Sequence, residues 1–131
     1  MKRKALGLFA TFFKIGAFTF GGGYAMIPLI QREIVDKKQW ATNEDLLDII
    51  AIAESTPGPI AVNAATFIGS KIDGFFGALF ATLGVVLPSF ITIFAVSFAI
   101  AQFEHIKLVQ YAFTGIRAAV LALIIRALAA M

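Results

Sequence analysis

The longest charge-free stretch of the chain, from Gly74 to Phe103, restricts most strongly what this sequence can fold into. It contains roughly thirty residues and would measure about 45 Å as a helix rising 1.5 Å per residue. The hydrocarbon core of a bilayer is about 30 Å thick, so the stretch can cross it if it tilts, kinks near Pro88 or folds into two pieces. A soluble protein of this size could not bury so much apolar surface, so we predict an integral membrane protein.

Two further apolar segments flank this stretch. The first runs from Ala5 to Ile30 with Lys14 as its only charge, and the last runs from Leu108 to Met131 and contains Arg117 and Arg126. Charged residues make up 15% of the 131 residues, whereas soluble domains have about 25%. We therefore expect an all-α, polytopic protein of the cell membrane whose scattered basic residues meet lipid rather than nucleic acid.

Two interruptions of the apolar segments predict discontinuous or re-entrant helices. The glycines Gly21, Gly22 and Gly23 carry a large helix penalty within the first segment. The run from Pro57 to Pro59 ends one helix and suits the start of another. The helical pieces on either side have only about 11 or 12 residues each, so together they form one discontinuous span or a re-entrant hairpin.

The start of the helix before these prolines is marked by its own residues. Thr42 is followed three residues later by Asp45, a variant of the capping box, and Glu44 adds negative charge to the first turn. This pattern predicts a helix beginning near Asn43. Trp40 stands just before it, where an interfacial anchor is expected.

The proline interruption is also a candidate anion site. A helix that begins near Pro59 leaves the amides of its first turn without partners and places partial positive charge there. Half-helix N-termini of this kind bind anionic substrates in many secondary transporters. A turn that only joins two helices is the alternative. The candidate ligands are Ser55, Thr56, Pro57, Gly58, Pro59 and Asn63.

Glu54 precedes these residues and has a different candidate role. A carboxylate would repel an anion, but a protonated carboxyl would not, which makes Glu54 a candidate proton-coupling group. The glycine triplet would form a second anion cradle with its exposed amides at Gly21, Gly22 and Gly23. Close helix packing explains the three glycines equally well.

Two cations inside the apolar segments complete the candidate site. Arg117 shares a helical face with Gln110 and Thr114 and should therefore face protein or water. There it would attract a dianion or pair with Glu54. Lys14 is a second candidate anion ligand, and snorkelling to the lipid headgroups is the alternative for both cations.

Residue usage excludes several other classes of protein. The chain has no cysteine and one histidine, His105, which rules out disulfides, thiolate metal sites and a His-rich metal site within one chain. We expect no cofactor and no metal. No Ser/His/Asp set or Asp pair is visible, which argues against an enzyme. Three basic residues precede the first apolar segment and three follow it, so charge gives no preferred membrane orientation.

The motifs at the two interruptions resemble those of the chromate ion transporter family. Residues 12–16 (FFKIG) and 18–28 (FTFGGGYAMIP) look like its first signature. Trp40, followed by residues 48–69 with Glu54-Ser55-Thr56-Pro57-Gly58-Pro59 and Asn63, looks like its second. The order and the spacing agree, and the resemblance covers essentially the whole chain.

The resemblance implies a single membrane domain over residues 1–131 that carries a tetrahedral oxyanion, chromate or the similar sulfate, by alternating access. Long members of this family have two homologous halves and short members work in pairs, so we expect a half-size unit that forms a homodimer or joins a paralogous half. The chain stops within an apolar segment at Met131, and a missing C-terminal portion is expected. The alternatives are a non-transporting subunit that stabilises or regulates a partner, and an anion channel.

Overall fold

A computed structural model describes residues 2–19, 22–103 and 106–130. Their regular structure is helical, which confirms the predicted all-α class, and no strand occurs among them. Two of the helices are long and apolar enough to cross a membrane, over Ile60–Phe103 and Val109–Ala129. The elements in chain order are α1 (Lys2–Phe18), α2 (Gly23–Ile30), a π-helix (Gln31–Lys37), α3 (Asn43–Ser55), α4 (Ile60–Phe103) and α5 (Lys107–Ala129).

The capping box predicted before α3 is confirmed. The Asp45 amide donates to the Thr42 hydroxyl at 3.1 Å, and the Thr42 amide donates to the Asp45 carboxylate at 3.0 Å. These two bonds satisfy amides that the helix itself cannot pair, and α3 accordingly begins at Asn43.

A tight turn at Asp73 and Gly74, whose backbone angles are not helical, divides α4 into a first leg (60–72) and a second leg (75–103). The hydroxyls of Thr66 and Thr82 lie 2.6 Å apart across the two legs. Closer to the turn, the backbones of Gly69 and Gly77 are in contact, because a Cβ on either glycine would overlap the carbonyl of the other. The two legs therefore run antiparallel. Pro88 lies inside the second leg without any non-helical backbone.

The interruption at Pro57–Pro59 joins two antiparallel helices in a hairpin rather than forming one discontinuous span. Asp45, at the start of α3, forms an ion pair of 2.6 Å with Lys71, near the end of the first leg of α4. At the opposite end, the Asn63 side-chain amide donates to the Ala53 carbonyl at 3.2 Å. Because the start of each helix lies beside the end of the other, α3 and the first leg are antiparallel. We call this pair the second hairpin.

The glycine interruption also reverses the chain, which the sequence did not predict. Lys14 of α1 lies 3.3 Å from Glu33 of the π-helix. Further from the interruption on both sides, a Cβ on Gly7 would lie 2.9 Å from the ring of Trp40. The π-helix continues α2, so α1 is antiparallel to α2 and the π-helix together. We call this pair the first hairpin.

Residues up to Thr92 form one compact unit, and residues from Ile93 onward form another. In the first unit, α1 packs on the second leg of α4, where Gly84 lies against the Phe9 carbonyl and Gly16 against the Val85 carbonyl. The two hairpins and this leg share one apolar core. Its buried members are Leu8, Phe12, Ile15, Ile30, Ile34, Leu46, Ile49, Ala53, Ala64, Ala65, Ile68, Ala81 and Val85.

The helices of the two hairpins are short relative to a bilayer. The 17 residues of α1 and the 13 residues of α3 correspond to about 26 Å and 20 Å, against about 30 Å of hydrocarbon. We call the end of the first hairpin at Thr19 and Gly22, and the end of the second hairpin at residues 56–59, the tips of the two hairpins. The polar connection at 38–42 and the turn at 73–74 lie at the opposite end from the tips.

Candidate functional site

Next to the two hairpin tips, the N-terminal ends of α2 and α4 lie in contact. Gly23 is the first residue of α2, and Ile60 is the first residue of α4. A Cβ on Gly23 would lie 3.0 Å from the Ile60 Cβ and 3.3 Å from the Ala61 nitrogen. The structure thus brings the two predicted interruptions together. Gly21 lies outside the described residues.

Backbone amides without partners collect where these two helix ends meet. The Pro59 carbonyl accepts from the Val62 and Asn63 amides, both at 3.0 Å. Within the described part of the chain, the amides of Ile60 and Ala61 have no acceptor, as expected for the first turn of a helix. Each helix also contributes the positive end of its dipole, about half an elementary charge, to the same place.

The three side chains predicted as anion donors cap the end of α3 instead. The Ser55 and Thr56 hydroxyls donate to the carbonyls one turn back, those of Ala51 and Ile52, at 2.9 and 2.8 Å. The Asn63 amide donates to the carbonyls of Ala53 and Thr56 at 3.2 and 3.0 Å. These residues hold the second tip in shape and leave the neighbouring backbone amides as the donors open to an anion.

Pro57 and Gly58 shape the backbone of the second tip. Thr56 is extended, with φ −89 and ψ 123, as favoured for a residue before proline. Gly58 has a φ of 145, a value that strains any residue with a side chain. A Cβ there would also lie 3.4 Å from the Asn63 Oδ1. Gly22, on the facing tip, has a φ of 94 and faces open space.

Glu54 and Lys14 lie near the tips without forming part of their contact. Glu54 is exposed on the last turn of α3 and forms no ion pair within the described part of the first unit. Lys14 is 60% exposed and pairs with Glu33 of the π-helix. The position of Glu54 permits the predicted proton-coupling role without testing it.

Glu33 and Lys37 are charged residues that sequence reasoning missed. The Glu33 Oε1 accepts from Lys37 at 2.7 Å and from Lys14 at 3.3 Å. Glu33 lies outside both candidate spans, and the Lys37 ammonium, followed by Lys14, holds the pKa of its carboxyl below the usual value against the opposing effect of burial. The spacing of four residues between Glu33 and Lys37 was the available signal; nothing local indicated Lys14.

Arg117 belongs to the second compact unit. It lines a cavity of about 450 Å³ together with Gln110 and Thr114, as their predicted common helical face requires. The Thr114 hydroxyl donates to the Gln110 carbonyl at 2.8 Å. The remaining lining residues are Ser97, Ile100, Ala101, Val109 and Phe113. The cavity therefore presents one cation and three polar side chains beside its four apolar residues.

Comparison with known proteins identifies the family. A family model described as chromate transporter matches residues 6–131. The chain belongs to the chromate transporter family. It is 37% identical over 121 residues to the chromate transport protein of Pseudomonas aeruginosa and 34% identical over 113 residues to that of Cupriavidus metallidurans. These matches cover 92% and 86% of this chain. No solved structure matches it.

The chain is much shorter than the curated relatives of the chromate transporter family. It spans 29% and 28% of the length of the two chromate transport proteins. It spans 51% of an uncharacterized transporter of Bacillus subtilis, YwrB, to which it is 36% identical over 100 residues covering 76% of this chain. The family match includes both interruptions, so the contact between the two helix ends lies within the part of the chain that the family shares.

Proposed function

We propose that this chain is a half-size carrier of a tetrahedral oxyanion, chromate or the chemically similar sulfate. The contact between the N-terminal ends of α2 and α4, at Gly23, Ile60 and Ala61, carries the proposal. An oxyanion placed there accepts from the open amides and neutralises two helix dipoles at once. The names of the relatives in Pseudomonas aeruginosa and Cupriavidus metallidurans support chromate as the anion.

Glycine at position 23 fits such a site for a steric reason. A methyl group there would lie 3.0 Å from the Ile60 Cβ and 3.3 Å from the Ala61 nitrogen, and it would therefore crowd the contact between the two helix ends. Backbone donors recognise charge and shape but separate chromate poorly from sulfate, since the two anions differ little in either. Both anions are therefore expected to compete for the same site.

The proposed carrier is a multi-pass protein of the cell membrane that works by alternating access in a dimer, either a homodimer or a pair with a paralogous half. The short hairpin helices support a pair, because α1 and α3, at about 26 Å and 20 Å, are shorter than the hydrocarbon core of about 30 Å. A second copy would complete the path on the opposite side. Glu54 is the proposed proton-coupling group, Lys14 and Arg117 attract the anion, and no enzymatic step is involved.

The test is uptake of chromate, or of radiolabelled sulfate, into proteoliposomes that contain the full chain. Gly23→Ala is expected to lower uptake by about tenfold or more, because the added methyl group would force apart the two helix ends that hold the anion. Gly115→Ala is the matched control, because a Cβ at this helical glycine meets nothing within 4 Å. It should transport as the parent does.

Three outcomes separate the possible failures. If the parent protein carries no oxyanion, the function is wrong and a non-transporting subunit is favoured. If folded Gly23→Ala transports as well as the parent, the tip assignment is wrong. Counterflow of labelled sulfate driven by unlabelled sulfate identifies a carrier, whereas flux without counterflow and without saturation indicates an anion channel.

A further inference from the structure

Three charged side chains form a cluster between α1 and the π-helix. The ammonium groups of Lys14 and Lys37 converge on a single oxygen, Glu33 Oε1, at 3.3 and 2.7 Å. The two lysines come from the two arms of the first hairpin. Two cations from separate helices therefore surround one anionic oxygen, an arrangement equally suited to an oxygen of a small oxyanion.

The accessibility of the three residues is unequal. The side chains of Lys14 and Lys37 are 60% and 46% exposed, whereas that of Glu33 is 14% exposed. The carboxylate thus sits behind two cations that remain open to solvent. A dissolved anion can reach both lysines without any movement of the helices, while Glu33 needs only a side-chain rotation to leave them.

We propose that Lys14 and Lys37 form a docking site for the oxyanion and that Glu33 occupies this site as an internal counter-ion when the anion is absent. The identity of the anion rests on the proposed function. With Glu33 in place the cluster has a net charge of +1. A dianion that displaces the carboxylate contacts both ammonium groups and balances their two charges.

The two contacts of Glu33 differ in a way that assists exchange. Charge-assisted hydrogen bonds between nitrogen and oxygen are normally about 2.7–2.9 Å long. The Lys37 contact has this length at 2.7 Å, but the Lys14 contact is stretched to 3.3 Å. Lys14 is therefore the weaker side of the bridge and the first to exchange Glu33 for an incoming anion.

A neighbouring lysine provides a matched control. Lys38 follows Lys37 directly, but its ammonium lies 4.6 Å from the centre of the Trp40 ring, in a cation–π contact away from Glu33. Lys38→Gln removes the same charge from the same segment and leaves the cluster intact. If net charge alone attracts the anion, Lys38→Gln should weaken sulfate binding as well. If Lys14 and Lys37 form a docking site, Lys38→Gln should leave sulfate binding unchanged.

The experiment is a sulfate titration of the purified full chain in nanodiscs of neutral lipid, followed by NMR of the lysine side-chain Cε and Hε signals. Chloride at matched ionic strength corrects for screening. Glu33→Gln is expected to tighten sulfate binding by about fivefold, and Lys14→Gln or Lys37→Gln to weaken it by about fivefold. Lys38→Gln should leave the affinity unchanged.

The decisive result is that Glu33→Gln tightens sulfate binding whereas Lys14→Gln and Lys37→Gln weaken it. If the cluster only joins the arms of the first hairpin, then Glu33→Gln and Lys14→Gln both lower the unfolding temperature and sulfate shifts no lysine signal, which overturns the proposal. If Glu33→Gln does not fold, the comparison of Lys14→Gln with Lys38→Gln is sufficient by itself. Equal sulfate affinities of these two variants would also overturn the proposal.

The proposals for the docking site and for the site at the tips can be contradicted independently of each other. Gly23→Ala should lower uptake by about tenfold or more yet leave the sulfate-induced shifts of Lys14 and Lys37 in place, because this substitution lies outside the cluster. Loss of those shifts in Gly23→Ala would contradict a separate docking site. Normal uptake by Gly23→Ala, with the shifts retained, would contradict the proposed function at the tips and leave docking supported.

Discussion

At the scale of single residues, Asn63 illustrates how a polar side chain beside an interruption can act on the backbone rather than on a ligand. Its two amide hydrogens both go to carbonyls, those of Ala53 and Thr56. These carbonyls lie at the end of α3, where no following helical turn supplies amides. In an apolar environment such carbonyls must be paired. The second tip therefore needs this side chain for its stability even when no anion is bound.

Replacing Asn63 should therefore destabilise the fold. Asn63→Ala leaves two carbonyls at the second tip without donors and is expected to cost about 1–3 kcal/mol of unfolding free energy. Equilibrium unfolding in detergent micelles measures the change. Asn43→Ala is the control, since Asn43 is exposed and accepts one bond from Gln31; its effect should stay within about 0.5 kcal/mol. Equal losses in the two variants would contradict the capping role.

The Asp45 carboxyl lies outside the candidate spans and has a pKa below its ordinary value. The Lys71 ammonium, assisted by the Thr42 amide, lowers the pKa of the Asp45 carboxyl from 3.8 to about 2. A carboxyl whose pKa is lowered on folding contributes stability above its ordinary pKa and loses that contribution as the pH falls toward the folded value. The second hairpin should thus weaken between about pH 4 and pH 2.

The pairing with Lys71 can be tested at Asp45 directly. Lys71→Gln should move the pKa of the Asp45 carboxyl back toward 3.8, because the largest cause of its lowering is removed. A carboxyl ¹³C NMR titration reads this pKa. Lys37→Gln removes a lysine that pairs with Glu33 instead and should leave the Asp45 titration unchanged. An unaltered Asp45 pKa in Lys71→Gln would mean that the ion pair closing the second hairpin does not form.

At the scale of helices, the sequence predicted where the helices begin and end better than how they pack against one another. Thr42 and Asp45 mark the start of α3 through bonds three residues apart, so local chemistry is sufficient there. The restart was expected near Pro59, and α4 begins one residue later at Ile60, with Pro59 supplying the capping carbonyl. The reversal of the first hairpin depends on contacts as distant as Lys14 with Glu33, which no local pattern encodes.

The antiparallel legs of α4 depend on the backbone contact between Gly69 and Gly77. Gly69→Ala would drive a methyl group into the Gly77 carbonyl and force the backbones apart, at an expected cost of about 1–3 kcal/mol. Gly115→Ala meets no neighbour and should be neutral or stabilising by up to about 1 kcal/mol. Unfolding midpoints of the two variants give the comparison, and equal midpoints would contradict close packing of the legs.

At the scale of the whole molecule, the sequence predicted the two interruptions but not the bonds that their polar side chains form. The sequence indicated both interruptions, and the structure brings Gly23 against Ile60. It also predicted side-chain donors, Ser55, Thr56 and Asn63, whereas these side chains bond to backbone carbonyls. These carbonyls belong to the last turn of α3 and the residue after it. The sequence does not show how closely this end of α3 approaches the next helix, so it could not indicate which groups the side chains bind.

The hairpin arrangement makes a prediction about membrane topology that the charge distribution could not. If both hairpins re-enter, positions 4, 39 and 70 all lie at the end of the first unit opposite the tips. Single membrane crossings by the first apolar segment would instead place positions 4 and 39 on opposite sides of the bilayer. The chain has no cysteine, so cysteines introduced in pairs at these positions are the only thiols in the protein.

The measurement is labelling of paired thiols in sealed vesicles with a membrane-impermeant maleimide, read by mass spectrometry of the intact chain. Lys4→Cys with Gln39→Cys, and Gln39→Cys with Ser70→Cys, are the two pairs. Three basic residues on each side of the first segment allow insertion in either orientation, so some chains should acquire two labels and the others none. Chains with one label would dominate if the first segment crossed the membrane once. Detergent-opened vesicles, in which every chain should take two labels, control for thiol reactivity.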